Sequence, residues 1–177
     1  MTQPLTRRLA LVLMMLYVCA PQADAEAQWN DYVNREGRLL VALPCAPVWK
    51  AEDVPRKGAD ASYRSHIGMC KAGDETYLVG WVDYEAGYAP EVQGELAANR
   101  DNTIKGIEGA QLLTSTSVSY QGLPGMDFTA RIGARHLTSR VLLQGRRPYQ
   151  LLIVTPLDAD RSRNISRFLT SFQLIAE

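Results

Sequence analysis

Residues 122–155, GLPGMDFTARIGARHLTSRVLLQGRRPYQLLIVT, decide the fold, because short apolar segments alternate there with glycine-containing turns. From Met126 to Ile132 every second residue is apolar, which is typical of a strand with one buried face. Pro124 and Gly125 stand in the order that a type II turn requires, so residues 122–125 are predicted to turn the chain. The stretch therefore predicts antiparallel strands joined by short connections.

Further turns are predicted within this stretch at residues 133–135 and 145–148. With the segment that precedes them, they separate four sequential predicted strands: Ala110–Tyr120, Met126–Ile132, His136–Leu143 and Tyr149–Thr155. Sequential antiparallel strands with short turns form a meander.

The first half of the chain is more irregular in pattern. Residues 26–37 are predicted as a short helical or irregular lead-in, Arg38–Leu43 as a strand, and the charged residues 50–60 as an exposed loop. Ala61–Met69 and Thr76–Tyr84 are predicted to pair as a hairpin, with Gly73 free to take a positive φ in the link.

Two helices complete the pattern. One is predicted over Pro90–Ile107, and the other follows Asp158 or Asp160, either of which can cap it. The second helix carries an apolar stripe of Ile165, Phe168, Leu169 and Phe172. We therefore expect an α+β fold, an α-β-α sandwich around one mainly antiparallel twisted sheet of about six or seven strands.

The first 25 residues have the pattern of a secretory signal peptide. Arg7 and Arg8 precede the uncharged apolar run Leu9–Ala20, and Ala23-Asp24-Ala25 supplies small residues for cleavage. We expect residues 1–25 to be removed and a single domain, residues 26–177, to be periplasmic or secreted. A lipid anchor on Cys19 is disfavoured, because the bulky Tyr17-Val18 pair precedes it.

The charge balance argues against several classes of partner. The chain has 19 Lys and Arg residues and 19 Asp and Glu residues. Such a balance does not steer a protein onto nucleic acid or an anionic membrane. No later segment is apolar for long enough to predict insertion into a membrane after cleavage.

Cys45 and Cys70 are the two cysteines that remain after cleavage, and two cysteines in an oxidising compartment usually pair. A disulfide between them would close a loop of about 25 residues, worth roughly 3 kcal/mol. The alternatives are two unpaired buried thiols, or a metal site that includes His66. Zinc sites usually have tighter paired spacings and a fourth ligand, so we predict no metal.

Four segments carry a resemblance to a known family: residues 77–84, 120–125, 147–151 and 168–174. Their order and spacing resemble small secreted bacterial proteins of unknown function with the Mog1/PsbP-like α-β-α sandwich, over most of residues 29–175. The resemblance implies the fold, but it does not identify any residue of this chain as catalytic. PsbP-like proteins resemble accessory subunits of photosynthetic assemblies and Mog1 a partner of a small GTPase, but fold alone does not transfer either role.

The strongest candidate for a binding site is cationic. Arg131, Arg140 and Gln150 lie on successive predicted strands and would grip an anion if their side chains converged on one face. The alternative is that the arginines pair with Asp127, Glu85 or a helix end. His66 and His136 are interpreted as strand-surface histidines, and no nucleophile motif, metal motif or cofactor motif occurs.

These observations predict an exported, non-catalytic binding or assembly-accessory domain with a cell-envelope protein as its partner. A small hydrolase or lyase built around His66 or His136 is one alternative. A carrier of a small apolar ligand between sheet and helix is the other.

Overall fold

The computed structural model describes residues 28–55 and 62–176. The predicted signal peptide, residues 1–25, lies outside the described residues, as do residues 56–60 of the predicted loop. The described chain forms these elements in order: β1 (Asn30–Asn34), β2 (Leu39–Leu43), β3 (Val48–Pro55), β4 (Ser62–Ala72), β5 (Glu75–Asp83), α1 (Val92–Gly106), β6 (Ala110–Tyr120), β7 (Leu123–Ile132), β8 (Arg135–Gln144), β9 (Arg147–Pro156), α2 (Ser162–Ser171) and β10 (Gln173–Leu174).

Seven of the strands form one antiparallel sheet in the order β3-β4-β5-β9-β8-β7-β6. The predicted meander is present as β6 to β9, with Gly133 and Gly145 in the left-handed region at its later turns. Gly73 has a φ of 58° in the hairpin between β4 and β5. A second sheet, β1-β2-β10, was not predicted, so the α+β class holds with two sheets rather than one.

Two segments predicted as irregular are strands. Residues 30–34 form β1 and pair with β2, although the sequence pattern favoured a helical or irregular lead-in. Residues 48–55 form β3, an edge strand, although their charged sequence predicted a loop. Both segments are partly exposed, and strands in such positions lack the apolar alternation from which strands are predicted.

The turn predicted at residues 122–125 is displaced. The chain reverses at Gln121 and Gly122, whose φ angles are 51° and 79°, and Tyr120 pairs directly with Leu123. A two-residue hairpin turn with positive φ at both positions matches the twist of the flanking strands. Pro124 and Gly125 therefore lie inside β7 rather than in the turn.

Alternate residues of the central strands belong to two separate apolar clusters. Tyr77 and Val79 of β5 pack with Phe168 and Phe172 at α2, whereas Leu78 packs with the cluster that contains Leu96 of α1. Because neighbouring residues of a strand point to opposite faces, the two clusters lie on opposite faces of the large sheet. Helix α1 packs on β6, β7 and β8, and α2 packs on β2 and β9.

The two helices start differently, and only α1 has a side-chain cap. Glu91 accepts hydrogen bonds from the backbone amides of Gln93 and Gly94, so α1 starts just after the predicted Pro90. The N-cap of α2 is Arg161, which forms no side-chain cap hydrogen bond, so neither predicted aspartate occupies the cap position; Asp160 lies one residue earlier and accepts a hydrogen bond from the Ser162 amide.

A disulfide joins Cys45, between β2 and β3, to Cys70 of β4, with 5.9 Å between their Cα atoms. The bond therefore links the connection between β2 and β3 to β4, which lies next to the edge strand of the large sheet. Neither described helix is long and apolar enough to cross a membrane.

Candidate functional sites

Arg140 is held in a local ion pair. Its Nε and Nη2 atoms donate to the two carboxylate oxygens of Asp127, each at 2.7 Å, and its guanidinium lies 4.8 Å from the ring centroid of Tyr120. The hydrogen bond to Asp127 raises the pKa of Arg140. Nη1 also approaches the Leu169 carbonyl oxygen of α2 at 3.4 Å. The residue thus connects two sheet strands to a helix, the arrangement that the sequence had offered as the alternative to ligand binding.

The three residues of the predicted cationic site do not converge. Gln150 donates to Ser139 at 3.1 Å and to Thr103 of α1 at 3.0 Å, on the opposite face from Arg140. Arg131 is exposed near the end of β7 and donates to the Gly133 carbonyl oxygen. The prediction of convergence is wrong because β8 and β9 pair Val141, not Arg140, with Gln150.

His66 is buried, contrary to the expectation of a surface histidine. Only 3% of it is exposed, and its ring stacks on Trp81 with 4.4 Å between centroids and 8° between planes. Its Nε2 lies 3.2 Å from Asp83 Oδ2, outside hydrogen-bond geometry, and its Nδ1 lies 3.7 Å from Glu36 Oε1. His136 is half-buried on β8. The sequence did not show that β4 brings His66 beneath the small sheet.

Asp83 is the acceptor at the centre of this region. Arg147 Nε donates to Oδ1 at 2.7 Å, and Trp81 Nε1 donates to Oδ2 at 3.2 Å. Among the described residues, His66 Nε2 has no hydrogen-bond partner. An acid and a histidine are therefore adjacent, but in the part of the chain that the structure describes no nucleophile is hydrogen-bonded to this Nε2, as a hydrolase of this type requires.

Above Asp83 lies a polar cavity of about 230 Å³, which we call the arginine cleft. Three arginines line it, Arg38, Arg146 and Arg147, together with Asp83, Tyr84, Gln144 and Tyr149. A neighbouring cavity of about 320 Å³ is lined by Arg35 and Arg38 together with Ile175 and Ala176. Sequence reasoning missed this cluster because its members come from the β1–β2 turn and the β8–β9 turn.

A second, apolar cavity of about 370 Å³ lies beside the disulfide at the β3–β4 edge, and we call it the disulfide groove. Val48 is 66% exposed there and Met69 is 47% exposed. The groove is lined by Cys45, Ala46, Val48, Lys50, Ile67, Met69, Cys70 and Lys71. Within the described chain, no cluster of three or more His, Cys, Asp or Glu side chains is arranged to hold a metal ion.

Comparison with known proteins identifies the fold. The solution structure of cyanobacterial PsbP (CyanoP) from Synechocystis sp. PCC 6803 superimposes with a TM-score of 0.54, covering 89% of this chain and 98% of that one at 16% identity. The fold is PsbP-like. A protein of unknown function from Pseudomonas aeruginosa, PA94, described as a putative regulator, has a TM-score of 0.40 at 15% identity. It covers 78% of this chain and 89% of that one, a similarity too low to support an argument.

No protein-family model matches the chain, and no curated protein matches it in sequence. The PsbP-like fold therefore rests on the arrangement of strands and helices. A fold of this kind does not by itself define a function, because function depends on individual sites.

Proposed function

We propose that this protein is an exported, non-catalytic binding or assembly-accessory domain of the cell envelope, with the disulfide groove as its docking surface. The PsbP-like fold supports an accessory role. The proposal includes cleavage after Ala25 and a single domain over residues 26–177, which acts in the periplasm or outside the cell. It also includes an α-β-α sandwich, which is supported by the packing of α1 and α2 on opposite faces of the large sheet.

The observation that carries the proposal is the partial cover of one sheet face. Helix α1 packs mainly on β6, β7 and β8, so among the described residues the same face of β3 and β4 is covered far less by a helix. Most of the side chains that line the groove are apolar, and Val48 is 66% exposed and Met69 47% exposed. A sheet with apolar residues on both faces is stabilised when both faces are covered, so this region favours a partner.

The charges around the groove indicate the chemistry of that partner. Lys50 and Lys71 line the groove, and none of the described acidic residues does. A protein segment with apolar side chains flanked by Asp or Glu would complement both the apolar surface and the two ammonium groups. We propose such a segment of a cell-envelope protein as the occupant.

The disulfide supports the proposed location. Disulfides persist in oxidising compartments such as the periplasm and the extracellular space. The Cys45–Cys70 bond also contributes to the wall of the groove, so the docking surface depends on the same bond.

The alternative of a small hydrolase or lyase has less support. His66 and Asp83 are adjacent, but His66 is 3% exposed and stacks against Trp81. A base must reach the proton that it abstracts, and this imidazole is packed as a core side chain. The carrier alternative would use the open disulfide groove rather than a closed layer between sheet and helix.

The test uses crosslinking in the envelope of the source cells, followed by affinity recovery of the mature protein. We expect one acidic envelope protein to be recovered, with Met69→Glu lowering its recovery at least tenfold and Met69→Lys retaining it, because the partner's flanks are acidic. Leu113→Glu is the matched control, since Leu113 is 53% exposed on β6 at the opposite edge of the sheet.

Three outcomes would overturn the proposal. One is recovery of the protein alone, and another is equal recovery with Met69→Glu and Met69→Lys. The third is turnover of an ester, peptide or glycoside that is lost in His66→Gln, which would favour the enzyme. Native mass spectrometry of the purified protein tests the carrier alternative, since a bound amphiphile in the wild type that is absent from Met69→Glu would replace the protein partner.

A further inference from the structure

We propose that β6 is the surface through which two copies of this protein associate, edge to edge, as antiparallel strands. β6 (Ala110–Tyr120) ends the strand order of the large sheet, so one of its sides has no neighbouring strand among the described residues. The disulfide groove lies toward the opposite edge of that sheet, beside β3 and β4. The association therefore goes beyond the docking proposed there and does not depend on it.

β6 lacks the charged residues and prolines that usually keep an edge strand from pairing with another chain. It is 11 residues long, its sequence AQLLTSTSVSY contains neither a charge nor a proline, and residues 111–117 are all exposed. The other edge strand, β3, is protected by Lys50, Glu52, Asp53 and Pro55. Because one edge of the sheet is protected and the other is not, β6 is the edge suited to pairing.

The register with β7 shows which backbone groups of β6 face the open side. Pro124 has no N–H, so its pair with Ser119 is a non-hydrogen-bonded pair. The two kinds of pair alternate along antiparallel strands, and the register is regular after the bulge that follows Leu112, so Ser115 and Ser117 also form non-hydrogen-bonded pairs. The N–H and C=O groups of these three serines therefore point away from β7.

A second copy of β6 would satisfy these backbone groups. With a two-fold axis at Ser117, this residue lies opposite its own copy, and Ser115 lies opposite Ser119 of the second copy. Each of the three pairs exchanges two hydrogen bonds, so the association adds about six. The strand is thus self-complementary in its backbone.

The side chains also favour a second copy as the occupant. In this register Thr116 lies opposite Val118 of the second copy, and pairs of β-branched residues stabilise a sheet. No charged residue of β6 meets its own copy, because the strand has none. Arg100 of α1, which donates to Ser115, is paired with Asp101 at 2.8 Å. Two copies can therefore meet here without like-charge repulsion along the strand.

The first test is sedimentation equilibrium of the mature protein from about 1 μM to 1 mM, a range that covers weak and moderate association. We expect the average mass to rise with concentration from that of a monomer toward twice that value. An interface built on one strand from each copy is small beside the ~1,200–2,000 Å² of a standard stable interface, so the dimer should dissociate on dilution.

Charged variants test the position of the two-fold axis. Ser117→Lys and Ser117→Glu are each expected to weaken dimerisation at least tenfold, because like charges then lie directly opposite each other. An equimolar mixture of the two should dimerise again, because the charges are then opposite in sign. Ala51→Lys is the matched control, since Ala51 is exposed on the edge strand β3, and it should dimerise as the wild type does.

A cysteine variant tests the register. Residues opposite each other in a hydrogen-bonded antiparallel pair have Cα atoms about 5.5 Å apart, within the range for a disulfide. Ser117→Cys is therefore expected to form a covalent dimer on oxidation. Ser119→Cys is the matched control, because Ser119 lies opposite Ser115 of the second copy, about 13 Å from its own copy, and should remain uncrosslinked.

The proposal is overturned if the wild type stays monomeric up to the highest concentration, or if Ser117→Lys and Ser117→Glu each dimerise as the wild type does. It is also overturned if their mixture stays monomeric, or if Ser119→Cys crosslinks as completely as Ser117→Cys. None of these results bears on the disulfide groove, whose test measures recovery of a different protein.

Discussion

At the scale of single residues, an aromatic stack organises the region between the two sheets. Trp49 lies 5.6 Å from Trp81 between ring centroids, and His66 stacks on Trp81. The rings lie directly on backbone: a Cβ at Gly68 would come within 2.7 Å of Trp49. Because the glycine has no side chain, the ring can lie closer to the backbone than it could over any other residue. His66, stacked on Trp81, is part of the same buried packing.

Gly80 provides a test of this close packing. A Cβ at Gly80 would lie 2.6 Å from the His66 carbonyl oxygen, which belongs to the backbone of the paired strand β4. We expect Gly80→Ala to lower the free energy of unfolding by about 1–3 kcal/mol, measured by urea denaturation, because a ladder between two strands cannot easily shift. Gly87→Ala is the control, with nothing within 4 Å of its Cβ, and should stay within about 0.5 kcal/mol of wild type. Equal midpoints for the two variants would contradict the prediction.

At the scale of elements, strands with one buried face were predicted correctly from the sequence, and an exposed edge strand was not. The strands β7, β8 and β9 were predicted because one buried face gives Met126, Phe128 and Ala130 their alternation. The edge strand β3 was missed because Lys50, Glu52 and Asp53 make it look like a loop. Charged residues on an edge strand prevent it from pairing with strands of other chains. The charges that make β3 resemble a loop in the sequence therefore also protect the edge of the sheet.

The disulfide is the element-scale feature most open to measurement. It closes a separation of 25 residues and joins the β2–β3 connection to β4, so its loss should lower the free energy of unfolding by roughly 3 kcal/mol. The measurement compares urea unfolding of the wild type with and without reductant. The double variant Cys45→Ala/Cys70→Ala is the control, since its free energy of unfolding should match that of the reduced wild type and should not change with reductant. A wild type insensitive to reductant would contradict the prediction.

At the scale of the whole molecule, two tyrosine–glutamate pairs, one buried and one partly buried, connect the helices to the sheet. Tyr84, just after β5, donates to Glu95 of α1 at 2.6 Å, and Tyr77 donates to Glu75 at 2.6 Å. Asn164 of α2 also donates to Glu75, at 2.9 Å to one oxygen. Burial, and then the hydrogen bond to the carboxylate, raises the pKa of both tyrosines well above its usual value.

These pairs predict a loss of stability in alkali. Because the folded pKa of Tyr84 lies above the unfolded value of about 10, the unfolded chain releases this proton first as pH rises. The contribution is complete below about pH 10 and falls above it. We expect the free energy of unfolding to fall as the pH rises above about 10, and to fall less steeply in Tyr84→Phe, as measured by urea denaturation from about pH 9 to 11.

The control for the alkaline experiment is Tyr32→Phe. Tyr32 is half-buried, and within the described chain it forms no recorded hydrogen bond to a carboxylate. This variant should keep the wild-type pH dependence. A Tyr84→Phe variant with the same steepness as wild type would show that the pair with Glu95 does not titrate with unfolding.

The sequence by itself determined the meander, both helices, the cysteine pair and the PsbP-like resemblance. Periodicity, glycine turns and cysteine number are local or countable, so one chain shows them directly. Only the tertiary structure decided that Arg140 and Gln150 face opposite ways, that His66 is buried, and that three arginines line one cavity with Asp83. Those facts depend on the register between strands and on which face each helix covers, and contacts between residues far apart in the chain set both.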